Sequence, residues 1–90
     1  MNQFKNLKVW QKAVDLAVDT YKSTKQFPTE EKYGLVSQIN RSAVSISSNI
    51  AEGAGRNTPK DFNNFLGFAQ GSTCELYTQL LIANKVELWN

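Results

Sequence analysis

The sequence predicts an all-α fold: an antiparallel, up-down helical bundle in one domain of residues 1–90. Apolar residues recur at alternating steps of three and four along most of the chain, which is the period of a buried helix face. Only two prolines interrupt the sequence. The breaks near residues 27–30 and 54–58 are short, so successive helices should run antiparallel. We expect three helices, near residues 5–26, 30–55 and 59–86.

The first predicted helix carries one apolar series. Its members are Leu7, Trp10, Val14, Ala17, Tyr21 and Thr24. The pair Phe27-Pro28 should end this helix, because a residue before proline avoids the helical region.

The second predicted helix has an apolar series of the same period. Its members are Val36, Ile39, Ala43, Ile46, Ile50 and Gly53. We expect Thr29 to be its N-cap, and Gly53 or Gly55 to close it in the left-handed conformation. The serine-rich stretch 42–49 has poor helix propensity, and residues 44–47 would also fit a short strand. The helix is favoured because more of the apolar positions keep the helical period than alternate.

The third predicted helix has the clearest start. Thr58 is a suitable N-cap, Pro59 suits the first helical position, and Asp61 is a favourable acid in the first turn. Gly67 and Gly71 lie one turn apart, and we expect them to let another helix pack closely. Cys74, inside this helix, is interpreted as a small packing residue. The three helices together account for nearly all of the chain.

Composition excludes several classes of protein. One cysteine and no histidine rule out an intrachain disulfide and a structural zinc site. The lack of histidine also removes the commonest general base. We therefore expect no enzyme, no cofactor, no metal and no small-molecule substrate. The longest apolar run, residues 80–83, is far too short to span a membrane, and no export signal is evident, so we expect a cytoplasmic protein.

Charge placement predicts a basic surface at one end of the bundle, although the net charge is only +2. Antiparallel packing brings the start of helix one to the end of helix two and the start of helix three. We call the resulting set of cations the basic end: Lys5, Lys8, Lys12, Arg56 and Lys60. Glu52 and Asp61 offset it in part, and Glu30 and Glu31 lie at the opposite end. Two interpretations stay open here, a solvated face and a surface that contacts nucleic-acid phosphates. The aromatic residues do not interleave with these lysines, so base stacking is not expected.

Polar residues beside the core predict a second feature, a structural network between helices. Its candidate members are Arg41, Ser45, Ser48, Asn49, Glu52, Ser72 and Glu75. A buried carboxylate requires a partner, and for Glu52 we expect a serine, an asparagine, Arg41 or a residue of another subunit. A catalytic carboxylate pair is the alternative, but no nucleophile or histidine accompanies it. A phosphate site at residues 53–58 is a weaker alternative to a helix end followed by an N-cap.

Several segments resemble proteins encoded in bacterial 23S rRNA intervening sequences. These are Phe4–Ala13 (FKNLKVWQKA), Tyr33–Ile39 (YGLVSQI) with Arg41 after it, and, most specifically, Ser45–Gly53 (SISSNIAEG) with Gly55 and Arg56 behind it. Positions of the third helix also fit, namely Phe62, Phe65, Leu66, Ala69, Gly71, Ser72, Glu75 and Leu76. The resemblance covers nearly the whole chain.

The resemblance implies an antiparallel four-helix bundle that assembles as a ring-like homopentamer. A related branch is the accessory protein of diversity-generating retroelements, which binds nucleic acid and a reverse transcriptase. Family members continue for a further helix past residues 80–83, so the resemblance implies three helices here with the family's fourth helix missing.

Two classes of function remain for this chain. The first is a non-catalytic oligomeric protein that binds structured RNA or other nucleic acid through the basic end. The second is a protein–protein assembly module with no nucleic-acid role. Both include a homo-oligomer, because a chain of 90 residues has a thin core and no covalent or metal crosslink.

Overall fold

The computed structural model describes residues 4–89, and in that range it is helical without any strand. It contains α1 (Lys8–Thr24), α2 (Leu35–Ala54) and α3 (Pro59–Lys85), with short 3-10 helices at Phe4–Asn6 and Thr29–Glu31. The all-α prediction is therefore confirmed, including a helix through the serine-rich stretch. The predicted domain of residues 1–90 extends beyond the described residues at both ends. No helix in the described range is long and apolar enough to cross a membrane.

The helix starts show where local signals are sufficient. α3 begins at the predicted Pro59, and the Asp61 backbone N–H donates to the Thr58 side-chain oxygen over 3.1 Å. α2 begins at Leu35, five residues later than expected, because residues 29–31 form a 3-10 helix and Gly34 takes a non-helical conformation (φ −106°, ψ −110°). The prediction that Thr29 caps α2 was wrong, since Gly34 occupies the N-cap position.

The helices run up, down and up, with α2 in the middle. The Thr24 hydroxyl at the end of α1 donates to the Asn40 side-chain oxygen near the start of α2, over 3.2 Å. On the other side of α2, the Ser45 and Ser72 hydroxyls are 2.8 Å apart. α2 packs against both other helices, whereas the α1 and α3 backbones make no close contact within the described range. The molecule is accordingly elongated, 44 × 19 × 18 Å.

The core is centred on α2. Eight residues of α2 are buried, against four each in α1 and α3. Ile39 and Ala43 are fully buried, and Ile46 and Ile50 nearly so. α1 approaches them through the small residues Ala13 and Ala17, and α3 adds a buried set consisting of Ala69, Leu76 and Ala83. Most of the predicted apolar series of α2 is thus its buried face, whereas in α1 the series member Tyr21 is exposed, and Ala13 and Thr20 beside the series are buried.

The glycines pack differently from the prediction. Gly67 and Gly71 are exposed, and a Cβ added to either would meet nothing within 4 Å, so they do not seat another helix in this chain. The close approach is at Gly53, where an added Cβ would lie 2.6 Å from the Phe65 Cβ. No glycine in the described range has a positive φ. Gly53 lies within α2 and Gly55 at its C-cap is right-handed, so the predicted left-handed closure was also wrong.

The residues after α3 turn back onto α1. Glu87 has a left-handed backbone (φ 61°), and the Leu88 N–H donates to the Ala83 carbonyl over 3.0 Å, the pattern of a Schellman helix end. This turn brings Trp89 against Phe27, with ring centroids 4.5 Å apart, and its indole N–H donates to the Ser23 carbonyl. Trp89, which follows α3, therefore packs against the C-terminal end of α1.

Candidate functional site

The basic end is built by the register of the three helices. Lys8 precedes Thr24 in α1 by as many residues as Arg56 follows Asn40, so the Thr24–Asn40 contact places Lys8 and Arg56 at one level. Arg56 follows Ser45 by as many residues as Asp61 precedes Ser72, so the Ser45–Ser72 contact places Lys60 and Asp61 at about the same level. The five predicted cations therefore occupy one end of the molecule.

Lys5 is held at this end by local contacts. Its carbonyl oxygen accepts a hydrogen bond from the Gln11 side chain over 2.8 Å, and the Phe4 and Trp10 rings pack edge to face at 5.2 Å. These contacts fix the first 3-10 helix against α1. Lys5, Lys8, Lys12 and Lys60 are all exposed.

Arg56 differs from the lysines because its guanidinium already has partners. It forms an ion pair with Glu52 at 2.8 Å, and its centre lies 4.7 Å from the Phe65 ring centroid. This is the one ion pair found within residues 4–89. The lysines are thus the more available cations, and Arg56 helps to fix the surface between α2 and α3.

The structure brings only part of the predicted polar network together. The Ser45 and Ser72 hydroxyls share a hydrogen bond, and the Asn49 side-chain amide donates to the Ser45 hydroxyl over 3.0 Å and to the Ser45 carbonyl over 2.9 Å. Ser72 is buried. These three residues link α2 to α3 across the core edge.

The other candidates of that network lie outside it. Ser48 is exposed, and Glu52 is 56% exposed. Within residues 4–89 the partner of Glu52 is Arg56 rather than a serine, an asparagine or Arg41, and a partner in another subunit stays a prediction. Arg56 follows Glu52 by one helical turn, so the two side chains meet at the surface at the end of α2, where Arg56 also lies against the Phe65 ring of α3. Arg41 and Glu75 are exposed on the walls of a polar groove next to Ser45.

That polar groove is a feature that the sequence did not reveal. It has a volume of about 480 Å³ and is lined by Gln38, Arg41, Ser42, Ser45, Glu75 and Gln79. The Gln79 side-chain oxygen is buried there without a hydrogen-bond partner in the described structure. The sequence shows that Glu75 and Gln79 are one turn apart and so share a face of α3, but it does not show that α2 lies opposite that face.

Cys74 is exposed rather than packed as the sequence analysis expected. It lines a shallow depression of α3 that also includes Gln38 of α2. Within residues 4–89 no three His, Cys, Asp or Glu side chains form a group that could hold a metal ion.

A family model described as 23S rRNA-intervening sequence protein matches residues 5–90 of the chain. The chain belongs to this family. The match includes every residue of the basic end and of the polar network in this 23S rRNA-intervening sequence protein. A comparison with individual curated proteins finds no match.

Proposed function

We propose that this 23S rRNA-intervening sequence protein is a non-catalytic, oligomeric protein of the cytoplasm that binds structured RNA through its basic end. The observation that best supports the proposal is the gathering of four exposed lysines at one end of the bundle, contributed by the segments that begin α1 and α3 and without an ion pair among residues 4–89. Exposed cations of this kind contact phosphates without reading bases. A non-catalytic role is in keeping with a sequence that has no histidine and one cysteine.

Oligomer formation would make this modest charge effective. Several large apolar side chains are exposed on α1 and α3, including Val9, Val18, Phe68 and Ile82. Val18 also lines one depression with Val14, Tyr21 and Val44, and contiguous exposed apolar area is typical of protein contact surfaces. A homopentamer, the assembly implied by the family resemblance, would present five copies of the basic end, and several weak phosphate contacts would act together.

The test compares RNA binding by two double variants with equal charge changes. Lys8→Glu/Lys12→Glu alters the basic end, and Lys22→Glu/Lys85→Glu makes the same charge change in the last turns of α1 and α3. Binding to a short, blunt RNA duplex is measured between about 50 and 200 mM salt. We expect the first variant to lose affinity and to flatten the salt dependence by about 0.9 in logarithmic slope for each lost phosphate contact, the value for B-DNA. The second variant should bind within about twofold of the parent.

Sedimentation and circular dichroism of the same samples supply the controls. Both variants should keep the helix content and oligomer mass of the parent, because all four lysines are exposed. Equal duplex affinity for the parent and the Lys8→Glu/Lys12→Glu variant would overturn the RNA-binding role of the basic end. A monomer at micromolar concentration would overturn the oligomer.

The second candidate function is a protein–protein assembly module without a nucleic-acid role. The exposed apolar side chains of Val18 and Ile82 favour it, since they lie in the halves of α1 and α3 away from the basic end, whereas Val9 lies between Lys8 and Lys12. An oligomer that binds no RNA at low salt would support this second function.

A further inference from the structure

A groove on the outer side of α1 and α2 combines aromatic and cationic side chains. We call it the tyrosine groove, a depression of about 680 Å³ whose lining includes Tyr21, Tyr33, Val36, Val44, Lys32 and Arg41. It continues into a second depression of about 380 Å³ that shares Tyr21 and Lys32 and adds Lys25. This groove lies near the C-terminal end of α1, away from the lysines of the basic end.

Tyr33 is nearly free of contacts with the fold. It is 88% exposed, in the turn between the second 3-10 helix and the start of α2, and Tyr21 is 49% exposed on α1. Aromatic rings normally contribute their large apolar area to a core or an interface. Two exposed tyrosines on one groove therefore offer ring faces to a ligand.

The charged side chains that line the joined depressions are cationic. They are Lys25, Lys32 and Arg41, and none of the carboxylates in residues 4–89 is among the lining residues. Glu31 lies beside the turn that carries Tyr33, and Arg41 also lines the polar groove with Glu75. The Lys32 ammonium is 5.4 Å from the centroid of the Tyr33 ring. The ligand that fits this groove is an anion with flat aromatic faces.

We infer that the tyrosine groove binds single-stranded RNA, with bases stacked on Tyr33 and Tyr21 and phosphates beside Lys25, Lys32 and Arg41. Aromatic platforms next to cations are how proteins hold unpaired strands without reading sequence. A duplex does not fit this role, because its base faces are already stacked. The inference deepens the proposed RNA binding but rests on residues outside the basic end, so the two can fail separately.

The experiment uses fluorescence anisotropy with two probes, a labelled oligouridylate and the blunt RNA duplex. Tyr33→Ala should weaken oligouridylate binding at least about fivefold, the lower limit for losing one base–aromatic stack. Tyr33→Phe keeps the ring and should bind within about twofold of the parent. Neither variant should change duplex binding. Lys32→Gln should reduce the logarithmic salt slope for oligouridylate by about 0.7, the contribution of one phosphate on a single strand.

The outcomes separate the two sites. A Tyr33→Ala loss that persists in the Lys8→Glu/Lys12→Glu background supports the tyrosine groove, even when the parent binds no duplex and the proposed basic end fails. Oligouridylate binding that is equal in Tyr33→Ala and the parent would overturn the inference. So would a parent protein that binds no oligouridylate up to about 100 μM, the weak limit of non-specific binding. Circular dichroism of each variant should match the parent, because Tyr33 packs against no core residue.

Discussion

Gly53→Ala should destabilise the fold, although alanine is the better helix former. The new Cβ would lie 2.6 Å from the Phe65 Cβ and 3.3 Å from the Phe62 carbonyl oxygen. Carbon atoms in good contact are about 3.5–4.0 Å apart, so α2 and α3 would have to separate by about 1 Å at this point. Overpacking of this kind costs about 1–3 kcal/mol, against a helix-propensity gain of about 1 kcal/mol. Both atoms sit on or beside the α3 backbone and cannot rotate away, so we expect a cost in the upper half of that range, about 2–3 kcal/mol, and a net loss of about 1–2 kcal/mol.

Gly71→Ala is the matched control for this substitution. Gly71 lies within α3, and an added Cβ would meet nothing within 4 Å. This variant should therefore gain up to about 1 kcal/mol from propensity alone. The propensity term cancels between the two variants, so their difference isolates the steric term of about 2–3 kcal/mol.

Urea denaturation followed by far-ultraviolet circular dichroism measures this difference directly. All samples must be at one protein concentration, because oligomer formation makes apparent stability depend on concentration. Thermal midpoints should differ by at least about 4 °C for a chain of this size. If Gly53→Ala is as stable as Gly71→Ala, α2 and α3 do not pack closely at Gly53 and the reasoning fails.

Two further predictions concern the core and the end of α3. Ile46 is 6% exposed at the centre of α2, so Ile46→Ala should lower the free energy of unfolding by about 2–5 kcal/mol in the same urea assay. Val44 is exposed, so Val44→Ala should lower it by less than about 1 kcal/mol. Similar losses for the two variants would place Ile46 at the surface. Glu87 carries the left-handed backbone that ends α3, so Glu87→Gly should raise the free energy of unfolding by about 0.5–1 kcal/mol, and Glu87→Ala should not. A Glu87→Gly variant no more stable than Glu87→Ala would contradict the left-handed conformation.

The starts of α2 and α3 show which helix boundaries can be predicted from neighbouring residues alone. The start of α3 was predictable because Thr58, Pro59 and Asp61 are neighbours and form the cap among themselves. The start of α2 was not, because the chain before it is held by distant contacts: Phe27 is buried against Trp89 at the other end of the chain. Phe27 thus anchors the connection between α1 and α2. The prediction of a helix from residue 30 onward was wrong, because α2 begins only at Leu35.

The candidate sites divide in the same way. The lysines of the basic end could be placed from helix order alone, since the antiparallel arrangement decides which helix ends meet. The exposure of Glu52 could not be predicted, because it depends on the rotation of α2 about its axis. The Glu52–Arg56 pair itself is local, since the two residues are one helical turn apart.

Apolar periodicity by itself determined that this chain is helical and which face of α2 is buried, but in α1 it also included the exposed Tyr21. That information is local, because the helical period repeats within a few residues. The tertiary structure alone decided that Ser45 meets Ser72, that Gly53 rather than Gly67 or Gly71 seats a neighbour, and that two tyrosines share a groove with cations. Each of these contacts joins different helices, and the rotation and register between helices are set by how whole faces pack, which no short segment encodes.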